Sequence, residues 1–170
     1  MGMDSQHQDV KKFFRDAMAT LGAGVNVITT DGSAGRAGLT ATAVVSITDT
    51  PPTMMISVNR NSAVNAIFKE NGTMAVNILS AKQQLVAEYF GGLHPVSMEA
   101  RFARFSFEKG ELGLPLLTGA LAQLEGHIIE TYEVGTHTLF ILELFEIRAS
   151  EEKEALIYFN RAFYTLKHPS

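Results

Sequence analysis

Two short segments hold the side chains best suited to chemistry. Thr40-Ala41-Thr42-Ala43 alternates hydroxyls with methyls, so its backbone can be approached closely while a hydroxyl still reaches a ring nitrogen. Asn59-Arg60-Asn61-Ser62 follows one short apolar run later, just before a predicted helix. Asn59, Arg60 and Ser62 can together hold a monophosphate or one end of a pyrophosphate, because a helix start presents free amides and partial positive charge to an anion. A flat heteroaromatic ring with a phosphate tail suits this pair of segments, its ring edge on the first and its phosphate on the second. That is the outline of a flavin nucleotide. Each segment also has a plainer reading: Ser62 as a simple helix cap with Arg60 in solvent, and the Thr and Ala residues as a good fit to a crowded barrel strand.

A third candidate is His137, which follows Gly135-Thr136 at the start of an apolar strand. A fixed imidazole there can contact a nicotinamide or a flavin carbonyl, although a histidine at a strand edge commonly only packs. His7, His94, His127 and His168 show no ligand spacing, so no metal site is indicated. The chain has no cysteine, which removes disulfides, thiolate metal sites and thiol redox relays, and any redox chemistry must come from a bound cofactor. Gly22-Ala23-Gly24-Val25-Asn26-Val27 begins like a dinucleotide fingerprint but lacks the third glycine and runs from helix into strand, the wrong order for that turn. No P-loop, no Gly-x-Ser-x-Gly elbow and no His-Glu-x-x-His motif occurs. Glu151, Glu152 and Glu154 around Lys153 read as a solvated turn.

The elements that must position these residues follow from periodicity. Val10, Phe13, Phe14, Ala17, Met18 and Leu21 predict an amphipathic helix over 8–21, ended by Gly22, with a flexible tail at 1–7. A β-branched strand over 25–30 and the turn Asp31-Gly32-Ser33-Ala34-Gly35 lead into one strand over 39–48, stopped by Pro51-Pro52. A strand over 54–58, a helix over 63–69 closed by Asn71-Gly72, a strand over 74–79 and a helix over 82–90 closed by Gly91-Gly92 follow. Residues 93–119 read as a loop-rich excursion with a short helix near 98–102. Residues 124–134 alternate, with Glu125 and His127 on the polar face, while 138–147 is apolar enough to be buried on both faces. Aromatic-rich strands at 155–160 and 163–166 close the chain. Many strands joined by short turns favour an antiparallel barrel decorated by helices.

Composition bounds the class. The 170 residues, 46% hydrophobic and 19% charged, fit one domain over 1–170. A net charge of -4 with scattered Lys and Arg offers no field for a nucleic acid. The polar N-terminus has no basic flank or apolar signal core, and no apolar run reaches membrane-spanning length, so the expectation is a cytoplasmic protein without a membrane partner.

Taken in order, Phe14-Arg15-Asp16-Ala17-Met18-Ala19, Val25-Asn26-Val27-Ile28-Thr29-Thr30, Gly38 to Pro52, Val76-Asn77-Ile78-Leu79, Leu124-Glu125-Gly126, Gly135-Thr136-His137 and Leu156-Ile157-Tyr158-Phe159 cover nearly the whole chain. In these motifs it resembles the short-chain flavin reductases that serve two-component flavin monooxygenases, and within them the 4-hydroxyphenylacetate branch. The resemblance implies a mainly β protein with flanking helices, a split β-barrel of Greek-key, FMN-binding type, working as a homodimer. It implies FMN or FAD as flavin, NADH as reductant with NADPH left open, and an oxygenase component fed by diffusible reduced flavin. Carried onto this sequence, Thr40, Ala41, Thr42 and Ala43 meet the isoalloxazine edge with Ser46 nearby, and Asn59, Arg60 and Ser62 take the phosphate. His137 matches a Gly-Asp-His motif in which Thr136 replaces the acid. Arg101, Phe102 and Tyr158 are further candidates for the flavin tail or the nicotinamide. Two other outcomes stay open: a barrel that stores or senses flavin without turnover, and a flavoprotein passing electrons to another acceptor such as a ferric chelate.

Overall fold

The computed structural model describes residues 3–169, with side chains from Gln8 onward. Helix α1 (Met3–Ala19) leads to β1 (Ala23–Gly24), β2 (Asn26–Thr30), β3 (Ala37–Ala41), β4 (Val44–Asp49) and β5 (Pro52–Asn59). Then come α2 (Val64–Asn71), β6 (Thr73–Ile78), α3 (Gln84–Phe90), α4 (Met98–Arg104), β7 (Phe107–Lys109) and β8 (Pro115–Leu117). Two long strands, β9 (Ala122–Val134) and β10 (His137–Ala149), precede β11 (Ala155–Phe159) and β12 (Ala162–Leu166). Helix α1 thus begins ahead of the boundary at residue 8 that the apolar spacing sets. Of the tail expected at 1–7, residues 1 and 2 lie outside the described residues.

Seven strands form one antiparallel sheet in the order β3-β2-β6-β9-β10-β5-β4. Its two edges, β3 and β4, are consecutive in the chain and joined by Thr42-Ala43 alone. Three Cα steps reach at most about 11 Å, so the sheet must curl until its first and last strands are neighbours. They do not pair with each other, and the curl stays open along that seam. This is the split barrel, and it corrects the single strand expected over 39–48. Alternation of hydroxyl and methyl runs unbroken through Thr42-Ala43, so periodicity cannot show that the chain turns a corner and changes edges there. Small residues let it do so: Val44 N bonds Thr42 O at 2.9 Å and Ser57 N bonds Ala43 O at 3.0 Å.

The barrel interior is filled by Ile28, Ile56, Val58, Met74, Val76, Phe140 and Leu142, all buried, with Phe68 from α2 capping it edge-on to Phe140. A second cluster, Val25, Val27, Leu79, Val86, Phe90, Phe102 and Leu156, packs α3 and α4 against the small sheet β1-β11-β12. Gly38 permits the close approach of these layers, since a Cβ there would lie 2.9 Å from the Phe90 ring. Helix α2 stops where expected, at Gly72 in the left-handed conformation with φ 68°.

Two further readings are corrected. Strand β10 alternates rather than being buried on both faces, with Phe140 and Leu142 inside but Phe145 and Ile147 exposed on the outer face. Glu125 is buried, not on the polar face: its carboxylate accepts the amides of Glu111 at 2.9 Å and Leu112 at 3.0 Å and so anchors the turn between β7 and β8. A carboxylate with backbone donors is tolerated inside, which alternation alone cannot reveal. The 93–119 excursion contains α4 as expected and, beyond it, the β7–β8 hairpin.

Candidate functional site

The open seam of the sheet is also a cavity of about 500 Å³, within the range of small-molecule sites. Its floor is β3 and the corner, Gly38 to Ala43, where no side chain is larger than Leu39. One wall is the end of β5 and the loop into α2, including Ser57, Asn59, Ser62 and Ala63. The other is the end of α3, Phe90-Gly91-Gly92, with Met98 and Arg101 of α4. His137, the first residue of β10, completes the rim. It stands opposite Asn59 in one register and opposite Val134 in the other.

The loop into α2 is organised by Asn59 rather than by Ser62. Asn59 Oδ1 accepts the amide of Asn61 at 2.8 Å, and its carbonyl accepts the amide of Ser62 at 3.1 Å. Ala63, not Ser62, occupies the cap position and makes no side-chain cap bond. The simple capping reading of Ser62 is therefore corrected, and among the described residues its hydroxyl makes no hydrogen bond.

Thr40 spends its hydroxyl on Ala87 O at 2.7 Å, which ties the floor to α3. Thr42 has no side-chain partner among the described residues. Arg101 stands on the cavity with its Nε shielded from solvent and without a hydrogen-bond partner. A desolvated guanidinium nitrogen left unpaired is costly, so the position suits an acceptor brought by a ligand. His137 Nδ1 lies 2.9 Å from Thr136 Oγ1, which fixes the ring through a neutral hydroxyl where the related motif has a carboxylate.

Four expected residues do not line this cavity. Ser46 lies on β4 opposite Met54, exposed and beyond the corner. Phe102 is buried beneath Phe90, their rings edge-to-face with centroids 5.1 Å apart. Arg60 turns away to Glu133, Nε to Oε2 at 2.9 Å, and donates from Nη1 to Gly135 O at 3.2 Å. Tyr158 belongs to a neighbouring apolar cavity of about 260 Å³ with Val25, Ala87, Leu93 and Phe163, which shares Thr40, Thr42 and Gly91 with the first.

The flavin reductase like domain family matches residues 18–167. The chain belongs to the flavin reductase family. It is 50% identical, over 97% of both chains, to the 4-hydroxyphenylacetate 3-monooxygenase reductase component of Pseudomonas aeruginosa. It is 45% identical to the FMN reductase (NADH) RutF of Enterobacter cloacae, over 94% of this chain and 96% of that one. Among solved structures, the Streptomyces globisporus NADH:FAD oxidoreductase SgcE6 in complex with NAD and FAD fragments superposes with a TM-score of 0.83 at 28% identity, covering 91% of each chain.

Within this flavin reductase fold, sequence reasoning missed Gly38, Ser57, Gly91, Gly92 and Met98 as cavity residues. Gly91-Gly92 carried a signal, but it was the ordinary one of a helix stop. No group of three or more His, Asp or Glu among the described residues is placed to hold a metal, and no described helix is long and apolar enough to cross a membrane.

Proposed function

We propose that this protein is an NADH-dependent flavin reductase that takes FMN or FAD into the seam cavity and supplies the reduced flavin to a separate monooxygenase component. The observation that carries this reading is the cavity itself. A floor of small residues, an unpaired Arg101 Nε and a free Ser62 hydroxyl converge at the one place where the sheet is left open. These residues fit a flavin: a flat ring needs the close approach that Gly38 to Ala43 permit, and its phosphate needs donors such as Ser62 and Asn59. The relatives named as an FMN reductase (NADH) and as a monooxygenase reductase component support the same activity, and the former favours NADH over NADPH.

When bound, the flavin supplies a hydride acceptor and the nicotinamide a hydride donor, so the protein needs no acid or base of its own. Its residues position and screen. Thr42 offers a hydroxyl to the ring edge, and Arg101 supplies positive charge that favours the reduced, more anionic ring. Phe90 and Met98 exclude water from one wall. His137, oriented by Thr136, holds the nicotinamide over the flavin. Tyr158 and Phe163 in the adjoining cavity offer aromatic faces to the remaining ring of one of the two nucleotides.

A homodimer accounts for apolar surface that the single chain leaves bare. Phe13 and Phe14 on α1, Val45 and Ile47 on β4, and Phe145 and Ile147 on β10 are each roughly half exposed or more, a quantity of apolar surface that monomers rarely carry. The partner oxygenase acts on a phenolic acid of the 4-hydroxyphenylacetate type, and the protein works in the cytoplasm.

Anaerobic reduction of FMN and of FAD by NADH and by NADPH tests the proposal. Rapid bleaching of free flavin with NADH supports it. Retained flavin that never exchanges, or absence of turnover with all four pairs, would point to electron transfer to another acceptor or to flavin storage. Sedimentation in the same buffer reads the dimer.

A further inference from the structure

Arg60 has a partner other than a phosphate. Glu133, near the end of β9, is held from three sides: its carboxylate accepts hydrogen bonds from Lys69 Nζ of α2 at 2.5 Å and from Thr138 Oγ1 of β10 at 3.0 and 3.1 Å, and it forms an ion pair with Arg60, Nε to Oε2 at 2.9 Å. Arg60 holds the turn before His137 twice more, through Nη1 to Gly135 O at 3.2 Å and through its amide to Thr136 O at 2.9 Å. Beneath them Asn65, only 4% exposed, donates to Thr138 Oγ1 at 3.1 Å and to Asn59 O at 3.4 Å.

The β5–β10 ladder ends at the pair Asn59 and His137. Beyond it both chains are loop, joined along the main chain by the Arg60 N to Thr136 O bond, and loops with few ladder bonds open easily. The Arg60–Glu133 contact spans that gap. On one side is the segment carrying Asn59, Ser62 and Ala63 to the cavity; on the other is the turn carrying His137. An isolated ion pair this exposed, with 53% and 40% of the two side chains accessible, holds little. Here one carboxylate serves two cations and a buried hydroxyl, and removing its charge leaves Arg60 and Lys69 facing each other.

We propose that Arg60 and Glu133 are positioning residues that set the spacing between the phosphate side and the nicotinamide side of the cavity. This rests on the assignment of those two sides made above. Arg60 acts through the loop and not by touching the phosphate, so its loss is felt equally by flavins with and without one.

The experiment compares FMN with riboflavin, which lacks the phosphate. Flavin affinity is read by fluorescence titration, and KM and kcat with NADH as reductant, for Arg60→Ala, Glu133→Gln and the double variant. The expected result is a weakening of about tenfold that is the same for FMN and riboflavin, a fall in kcat in both single variants, and a double variant no worse than either. Glu133→Asp should recover part of the loss. A selective loss of FMN affinity in Arg60→Ala, with riboflavin spared and Glu133→Gln silent, would overturn the proposal in favour of direct phosphate contact. Additive losses in the double variant would overturn it too. Should Glu133→Gln not fold, Arg60→Gln carries the same comparison. Failure of the underlying assignment looks different: the wild-type protein would itself show no NADH-dependent flavin reduction, or would bind flavin unchanged after Ser62→Ala and Asn59→Ala.

Discussion

The floor of the cavity and its His137 rim are built on opposite principles. From Gly38 to Ala43 the chain works by what it lacks: small side chains leave backbone open to a ligand, and only Thr40 is committed, to Ala87 O. At the rim, Arg60, Glu133, Thr138 and Asn65 are tied side chain to side chain, and Asn65 reaches on to the Asn59 carbonyl, so that four elements are joined. A surface that must admit a ring wants shape and few competing partners. A turn that must hold one imidazole in place, past the end of its ladder, wants a network. The floor should therefore fail by crowding and the rim by loosening.

The largest effect should come from filling the floor. Ala43 is exposed at the corner, so Ala43→Phe is expected to leave thermal unfolding nearly unchanged while flavin-dependent NADH oxidation falls by about a hundredfold. Retained activity with normal flavin affinity would show that the ring does not lie on this floor. His137→Ala comes next, expected to slow flavin reduction in stopped flow by about tenfold with flavin affinity held. Reduction at the wild-type rate would remove the histidine from the reaction.

Arg101→Gln removes the cation at the opposite wall, and flavin affinity should drop by about fivefold to tenfold with the reduced flavin suffering more than the oxidised. Equal affinity for both forms in redox titrations would count against that charge. The smallest effect concerns pH. The Glu133 carboxyl is held below its ordinary range chiefly by the hydrogen bond from Lys69, with Thr138 and Arg60 adding to it. A folded pKa lowered in this way stabilises the fold fully above the unfolded glutamate value, and that contribution is lost as pH falls through the folded one. Melting temperatures of the wild type and Glu133→Gln should differ slightly at neutral pH and converge in acid. A gap that persists in acid would mean the carboxylate charge is not what the rim uses.

The rim also shows where sequence reading stopped. Thr40, Ala41, Thr42, Ala43, Asn59, Ser62, Arg101 and His137 do gather round one cavity; the types of Thr40 to Ala43, Asn59 and Ser62 suggested a ring and a phosphate, whereas Arg101 followed only from the resemblance to flavin reductases. Arg60 lies within that run, yet its guanidinium is drawn to Glu133, a residue more than seventy positions away in the sequence. Tyr158 and Phe102 fall on the far sides of β3 and Phe90, because strand and helix periodicity fixes a face but not which layer that face meets.

By itself the sequence determined most of the strands, the helix stops at Gly72 and Gly91, the lack of any thiol, and the small-residue segment that a ring can approach. These are local or compositional properties, set by side-chain size, backbone freedom and spacing along a few residues. Only the tertiary structure decided that the chain turns at Thr42-Ala43 and crosses from one sheet edge to the other. The same fold buried Glu125 on backbone amides and handed Arg60 to Glu133. Each of those outcomes depends on partners far away in sequence, brought together by the closing of a curled sheet whose one unpaired seam becomes the cavity.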